Sequence, residues 1–347
     1  MIPYDLVILD LDGVVYLIDR PIPGAVDAVT TLHDDGTPIA YATNNASRSA
    51  PDVAALLIRI GLPARPDEIV TSAQAAATAL AERHPPASPV LVIGADALRA
   101  EVRAVGLEPR DTADRRPAAV VQGYAPDVGW PQLAEACVAV RDGADWVVTN
   151  TDSTLPSERG PLPGNGALVA ALRTALDRGP DLVVGKPEPG LFATAAKRAG
   201  AERPLVVGDR LDTDIEGAVR AGMDSLLVLT GITTAADLFA APEHRRPTYV
   251  STDLRGLFTV DPRDRLAPGG DRVERGGWAA SREEGDRIVV RGAGTPLDAI
   301  QAVCAVAWSG AQPRAVVPDG PAARAALARL TAATAACAAS TDRTGSP

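Results

Sequence analysis

The chain has 347 residues, 46% of them hydrophobic and 22% charged, and a net charge of −10. That length exceeds one typical domain and can bury a large core. The composition is that of a globular protein, and the acidic balance speaks against nucleic acid as a partner.

Leu6-Val7-Ile8-Leu9 is apolar throughout, as suits a strand buried on both faces of a parallel sheet. Asp10-Leu11-Asp12-Gly13-Val14 follows, and such sheets carry their chemistry beyond the carboxyl ends of the strands. Residues i and i+2 of a strand share a side, so Asp10 and Asp12 are expected to crowd. That crowding requires a cation or a retained proton. A solvated Asp-Gly turn is the plainer alternative.

A second apolar run, 39–42, ends in Thr43-Asn44-Asn45. A hydroxyl and an amide can bond phosphoryl oxygens without adding negative charge. They could equally cap the helix that begins near Pro51, with Ser49 as a competing cap.

Between Asp12 and Thr43 there is room for one helical crossover. Between Thr43 and Lys186 there is far more chain than one crossover consumes, so a domain is inserted at 81–183, after an alanine-rich helix at 72–82 and Pro85-Pro86. Inside it, strands at 90–93, 118–121 and 146–148 alternate with helices at 95–105, 131–141 and 166–178, an α/β arrangement. The loop 150–165 carries Pro156, Gly160, Pro161 and Pro163. A stiff loop of this kind can reach over a site as a lid or be a mere surface connection. Thr154, Leu155 and Arg159 near its tip are candidate substrate contacts.

The run 182–184 ends in Gly185-Lys186-Pro187, and 205–207 ends in Gly208-Asp209, with Asp212 and Asp214 close behind. A compact ammonium offsets the repulsion between carboxylates and an anion. An oxygen-only ligand set with few carboxylates suits Mg2+. A strand at 226–229 ends in Thr230-Gly231, and 247–257 reads as a last strand and short helix, closing this part near 262.

Beyond it, 261–277 is rich in Pro, Gly and Arg and reads as a linker. A strand at 287–290, a helix at 297–308, a strand at 315–317 and a helix at 321–338 follow, and 340–347 reads as a disordered tail.

Four apolar runs ending in DxDGV, TNN, GKP and GD, in that order, resemble the haloacid dehalogenase superfamily of phosphatases. The resemblance covers roughly residues 1–262. It implies a Rossmann-like parallel-sheet α/β core, 1–80 with 184–262, and an inserted α/β cap, 81–183. The C-terminal part, 263–347, is then a small α+β domain. The cap position, with Asn150-Thr151-Asp152 and the run 163–168, is similar to the subgroup of amino-sugar-operon nucleotidase, pyridoxal phosphate phosphatase and phosphoglycolate phosphatase. That resemblance favours the lid for the loop 150–165. By the same resemblance Asp10 is the nucleophile and Asp12 the general acid/base, which dehalogenases of the superfamily lack. Thr43, Asn44 and Lys186 hold phosphate. Mg2+ is bound by Asp10, the Asp12 carbonyl and Asp209, with Asp214 in support and Asp212 less clearly involved. The three histidines, His33, His84 and His244, sit in no catalytic-looking motif, which disfavours phosphohistidine chemistry.

Residues 291–296 faintly resemble the pyrophosphate loop of acetyltransferases. Pro296 stands where that family has Gly or Ala, and the region is too short for the whole fold. It is read as a truncated, inactive acetyltransferase-like module for packing or oligomer contact, with acetyl-CoA binding the alternative. Phosphatases that pair this core and cap with such a module imply glycerol 3-phosphate as substrate. Phosphoglycolate, pyridoxal phosphate and nucleoside monophosphates are the alternatives, and a non-catalytic binding protein is the reading of another class. The expected partner is a small phosphorylated metabolite, with homo-oligomerisation undetermined. Cys137, Cys304 and Cys337 match no zinc spacing or disulfide framework, and Asp5, Asp10 and Asp12 speak against a signal peptide. The alanine-rich stretch 322–339 is interrupted by Arg324 and Arg329, so it reads as a soluble helix. A cytoplasmic, reduced protein is the expectation.

Overall fold

The computed structural model describes residues 2–17, 20–155, 157 and 159–328. The chain divides into two compact units, Met1–Ile39 with Ala201–Pro347, and Ala40–Gly200.

In the first unit four parallel strands lie in the order Tyr249–Ser251, Asp224–Val228, Pro204–Gly208, Leu6–Leu9. Leu6–Leu9 and Pro204–Gly208 are buried along their whole length, as their unbroken apolar sequences require. Because the strands are parallel, Asp10, Asp209 and Thr230 all leave the sheet at the same edge. After Asp209 the segment Leu211–Ile215 forms a π-helical turn that runs into the helix Glu216–Arg220. Such turns are frequent at functional sites.

The C-terminal part of this unit is a four-stranded sheet. Arg272–Arg275, Trp278–Glu283 and Arg287–Gly292 pair antiparallel, and Ala315–Pro318 runs parallel to Arg287–Gly292. The helix Pro296–Ala307 packs on it. The expectation of a linker over 261–277 is corrected here, since Arg272–Arg275 is a strand. Gly276 and Gly277, both at positive φ (52° and 82°), form the two-residue turn that joins it to Trp278–Glu283. Such hairpin turns demand two residues that tolerate φ > 0. The Pro, Gly and Arg content masked the alternation around Val273. The strand Trp278–Glu283 was likewise not anticipated. The helix expected over 321–338 is seen from 321 to 328, and its remainder, Cys337 and the tail 340–347 lie outside the described residues.

The second unit holds a five-stranded all-parallel sheet in the order Leu182–Val183, Asp145–Val148, Ala119–Gln122, Pro89–Ile93, Glu108–Arg110. Its helices are Asp96–Ala104, Trp130–Arg141 and Asn165–Leu176. The strand–helix alternation expected of the insertion is present. Leu182–Val183, expected as a strand leading to the lysine motif, pairs with Asp145–Val148 and is an edge strand of this sheet. In the same unit Ile39–Thr43 runs parallel to Ile69–Thr71. Ser49 caps the helix Ala50–Arg59, its hydroxyl accepting from the Asp52 N–H at 3.3 Å, so the cap role falls to Ser49. Thr43 and Asn44 are left for other work. Among the described residues no helix is long and apolar enough to cross a membrane.

Candidate active site

In the first unit, the strand Leu6–Leu9 extends its pairing by one bond, Asp10 N–H to the Val207 carbonyl at 2.9 Å. The chain then turns through 11–16 around the Leu11 carbonyl, which accepts from the N–H groups of Val14, Val15 and Tyr16. The same-side argument for Asp10 and Asp12 therefore fails in its premise, because the strand ends at Leu9. The Asp12 side chain is exposed. The carboxylates that crowd are Asp10, Asp209 and Asp214, each offering an oxygen within 4.8 Å of the others. Asp209 and Asp214 are each only 1% exposed.

Backbone geometry fixes the two later acids. Asp214 Oδ2 accepts from the Arg210 N–H at 3.2 Å across the π turn. Asp209 is clamped from the loop after Asp224–Val228. Ile232 N–H donates to its Oδ2 at 2.8 Å, and Thr233 N–H to its carbonyl at 3.3 Å. The neighbouring Thr230 hydroxyl donates to the Gly13 carbonyl at 2.6 Å. Gly231 is required for this approach, since a Cβ there would lie 1.8 Å from Asp209 Oδ2. The loop 230–233 was not identified as functional from sequence, although Thr230-Gly231 at the end of a parallel strand was the available signal. Asp212 stands apart. It is half exposed and paired with Arg210 at 2.9 Å. Burial opposes ionisation of Asp212, and the Arg210 bond and charge outweigh it, holding the carboxyl below its ordinary range.

A trio of buried carboxylates is costly unless a cation neutralises it. The donor set is all oxygen and hard, which fits Mg2+ or Ca2+ and not a thiolate- or imidazole-seeking metal.

In the second unit, Thr43 ends its strand 5% exposed, and its hydroxyl accepts from the Asn45 N–H at 3.1 Å. Lys186 is 3% exposed. Its Nζ donates to the Ala42 carbonyl at 3.3 Å and stands 5.9 Å from the Phe192 ring centre. Asn44, expected to turn its amide to phosphate, spends that amide within the protein. Oδ1 accepts from the Lys186 N–H at 2.8 Å, and Nδ2 donates to the Lys186 carbonyl and to Asp152 Oδ2, both at 3.1 Å. The Asn44 carbonyl accepts from Ser72 Oγ at 2.6 Å and Asn150 Nδ2 at 2.7 Å. Asn150 and Asp152 thus tie the start of the expected lid to the Thr43–Asn45 turn.

Thr154 and Leu155 form a short antiparallel ladder with Leu162 and Pro163. Asp152 roots it through its carbonyl, which accepts from the Gly166 N–H at 2.8 Å. Thr154 and Arg159 are exposed and Leu155 is half-buried.

Comparison with known proteins agrees with this geometry. Residues 7–108 match a haloacid dehalogenase-like hydrolase family, 183–257 a related hydrolase-like family, and 275–331 a GCN5-related N-acetyltransferase-like domain. The chain is 44% identical over 334 residues to D-glycerol 3-phosphate phosphatase of Mycobacterium tuberculosis, covering 94% of each chain. It is 36% identical to acid sugar phosphatase of Staphylococcus aureus, over 72% of this chain and 95% of that one. Among solved structures, glycerol phosphate phosphatase of M. tuberculosis in complex with magnesium superposes with a TM-score of 0.87, covering 94% of this chain and 97% of that one. The 4-nitrophenylphosphatase of Thermotoga maritima, 33% identical, reaches 0.69 over 74% of this chain and 97% of its own. With its acidic strand ends in the family's order and a relative of that identity along nearly its whole length, the chain belongs to the haloacid dehalogenase-like hydrolases.

Proposed function

We propose that this protein is a Mg2+-dependent phosphatase that hydrolyses glycerol 3-phosphate to glycerol and inorganic phosphate. The trio Asp10, Asp209 and Asp214 carries the reading, because its clustered carboxylate oxygens could hold a hard divalent cation. A 44% identical relative named for this substrate, and its solved magnesium complex, support it.

Asp10, Asp209 and the Asp12 main-chain carbonyl would hold the ion, with Asp214 in support. When bound, Mg2+ neutralises charge on the transferring phosphoryl group. A carboxylate oxygen of Asp10 attacks phosphorus as the bond to the glycerol oxygen breaks, and an aspartyl-phosphate forms. The exposed Asp12 gives its proton to the leaving alkoxide. Asp12 then takes a proton from water as the water oxygen attacks phosphorus, and the Asp10 carboxylate is released with phosphate. Thr43 and Lys186 bind the remaining phosphoryl oxygens. Asn44 contributes there through its main-chain N–H, while its carboxamide positions Lys186. Thr154, Leu155 and Arg159 on the hairpin select the alcohol.

The domain division proposed is a core of 1–80 and 184–262, a cap of 81–183 and an accessory domain of 263–347. The free Cys137 and Cys304 support a reducing compartment, the cytoplasm.

A panel of phosphate monoesters with Mg2+ tests the function. It should include glycerol 3-phosphate, phosphoglycolate, pyridoxal phosphate, a nucleoside monophosphate and a sugar phosphate. Glycerol 3-phosphate is expected to give the highest kcat/KM. Another ester leading by tenfold would replace the substrate, and hydrolysis of none would overturn the phosphatase itself.

A further inference from the structure

The C-terminal sheet and helix share one buried apolar cluster with the elements that carry the metal-site acids. Leu227 and Val250 of the parallel sheet, Leu229 just after the strand Asp224–Val228, Ile215 of the π turn, and Leu238 and Phe239 of the helix Ala235–Phe239 belong to it. From the C-terminal side come Trp278, Ile300, Val303 and Trp308, all at most 5% exposed. The helix Pro296–Ala307 packs against Ala235–Phe239, and the Trp308 indole N–H donates to the Leu238 carbonyl at 3.2 Å. Arg246 lies over the Trp308 ring at 5.2 Å.

Two chain segments link this cluster to the carboxylates. Ile215 directly follows Asp214, and Leu211 of the same π turn packs against the cluster. Ala235–Phe239 directly follows the loop 230–234 whose N–H groups clamp Asp209. Close-packed interiors transmit displacement and do not absorb it. A change in the C-terminal packing therefore reaches both acids through one or two residues of chain.

The same module is poorly equipped to bind a pyrophosphate. The N-terminus of its helix begins with Pro296, which has no N–H. Thr295 Oγ1 already accepts from the Asp298 N–H at 3.1 Å. The Asp298 carboxylate, bonded to Thr295 Oγ1 at 2.6 Å, places negative charge where an anion would dock. The Ala293 N–H just before it is spent on the Gly277 carbonyl at 3.2 Å.

We propose that the C-terminal module is a positioning element for the cation-holding carboxylates, acting through Ile215 and the helix Ala235–Phe239, and that it does not take acetyl-CoA. The proposal rests on the phosphatase reading for its purpose, but its test is binding of the metal. Isothermal titration with Mg2+ on the full chain compares Trp308→Ala and Ile300→Ala with Leu172→Ala, which removes an equally buried side chain from the second unit. The first two are expected to weaken Mg2+ binding at least fivefold. Leu172→Ala should bind as wild type despite a comparable fall in Tm. Unchanged Mg2+ binding in the first two, or an equal loss in Leu172→Ala, would overturn the proposal. Ile300→Val, a milder cut, should fold where the others do not and weaken binding about twofold; no change there also counts against it. Acetyl-CoA is expected to leave Tm unchanged, and a saturable upward shift would overturn the second half. A wild-type chain that binds Mg2+ tightly but hydrolyses nothing in the ester panel defeats the phosphatase reading and leaves the positioning claim standing.

Discussion

Asn44 grips Lys186 by both of its main-chain groups, accepting from its N–H at 2.8 Å and donating to its carbonyl at 3.1 Å. The remaining amide hydrogen goes to Asp152. One side chain thus joins the Thr43–Asn45 turn, the lysine and the root of the hairpin. Net contributions near 1 kcal/mol per such bond make Asn44→Ala a loss of about 10- to 100-fold in kcat/KM. Inhibition by inorganic phosphate should weaken in parallel, because the lysine is no longer held. Asp152→Asn keeps an acceptor and should act nearly as wild type, while Asp152→Ala should not. Steady-state kinetics with phosphate as product inhibitor decide, and undiminished phosphate inhibition in Asn44→Ala would count against the role.

Asp10→Asn separates chemistry from fold. Loss of the nucleophile should cost about a thousandfold or more in turnover. It also removes one of three crowded like charges, so without metal the variant should melt above wild type. Mg2+ should then raise its Tm less than it raises that of wild type, because the variant binds the ion more weakly. Thermal melts in chelator and in Mg2+ read both effects, and retained phosphatase activity would sink the assignment.

Much of this site was legible because its acids follow unbroken apolar runs. Leu6–Leu9 before Asp10 and 205–207 before Asp209 read as doubly buried parallel strands, and the end of such a strand is where chemistry is found. What stayed hidden was three-dimensional. The partners that crowd Asp10 are Asp209 and Asp214, the latter brought there by a π turn that no spacing rule anticipates, and not Asp12 two residues away. Leu182–Val183 looked like a core strand, yet two half-buried residues carry too little pattern to name their sheet. Arg272–Arg275 was hidden by its composition, although Gly276-Gly277 is a hairpin signal in its own right.

Arg265 binds Asp224 through two bonds, 2.6 and 2.7 Å, joining the chain beyond the last parallel strand to the sheet. The Arg265 bonds, then those from Tyr4 and Thr248, outweigh burial and hold the Asp224 carboxyl below its ordinary range. A depressed carboxylate stabilises the fold fully above its unfolded pKa, near 3.9. That contribution disappears as pH falls through the lower folded value. Asp224→Asn should therefore lower the urea midpoint at pH 7 and approach the wild-type midpoint only in acid, below about pH 4. The pair is half exposed, so the effect at pH 7 is modest, about 1 kcal/mol or less. A difference that persists undiminished through the acid range would show that the carboxylate charge is not its source.

Gly231→Ala tests whether the loop after the third parallel strand of the chain's first unit governs the metal site. The added Cβ would lie 1.8 Å from Asp209 Oδ2 and 2.4 Å from its Cγ, so either the carboxylate or the loop must move. Asp209 is 1% exposed, and the Ile232 N–H that aims it belongs to the same loop. Overpacking of this kind costs about 1–3 kcal/mol of stability. The larger effect falls on the ion, since Mg2+ demands near-ideal octahedral placement of its oxygens. Calorimetry should show Mg2+ affinity reduced at least about tenfold, on the same geometric ground. Ca2+, which tolerates irregular coordination, should lose less. Equal losses for the two ions would mean that the loop disturbs the fold at large and does not set the geometry around Asp209.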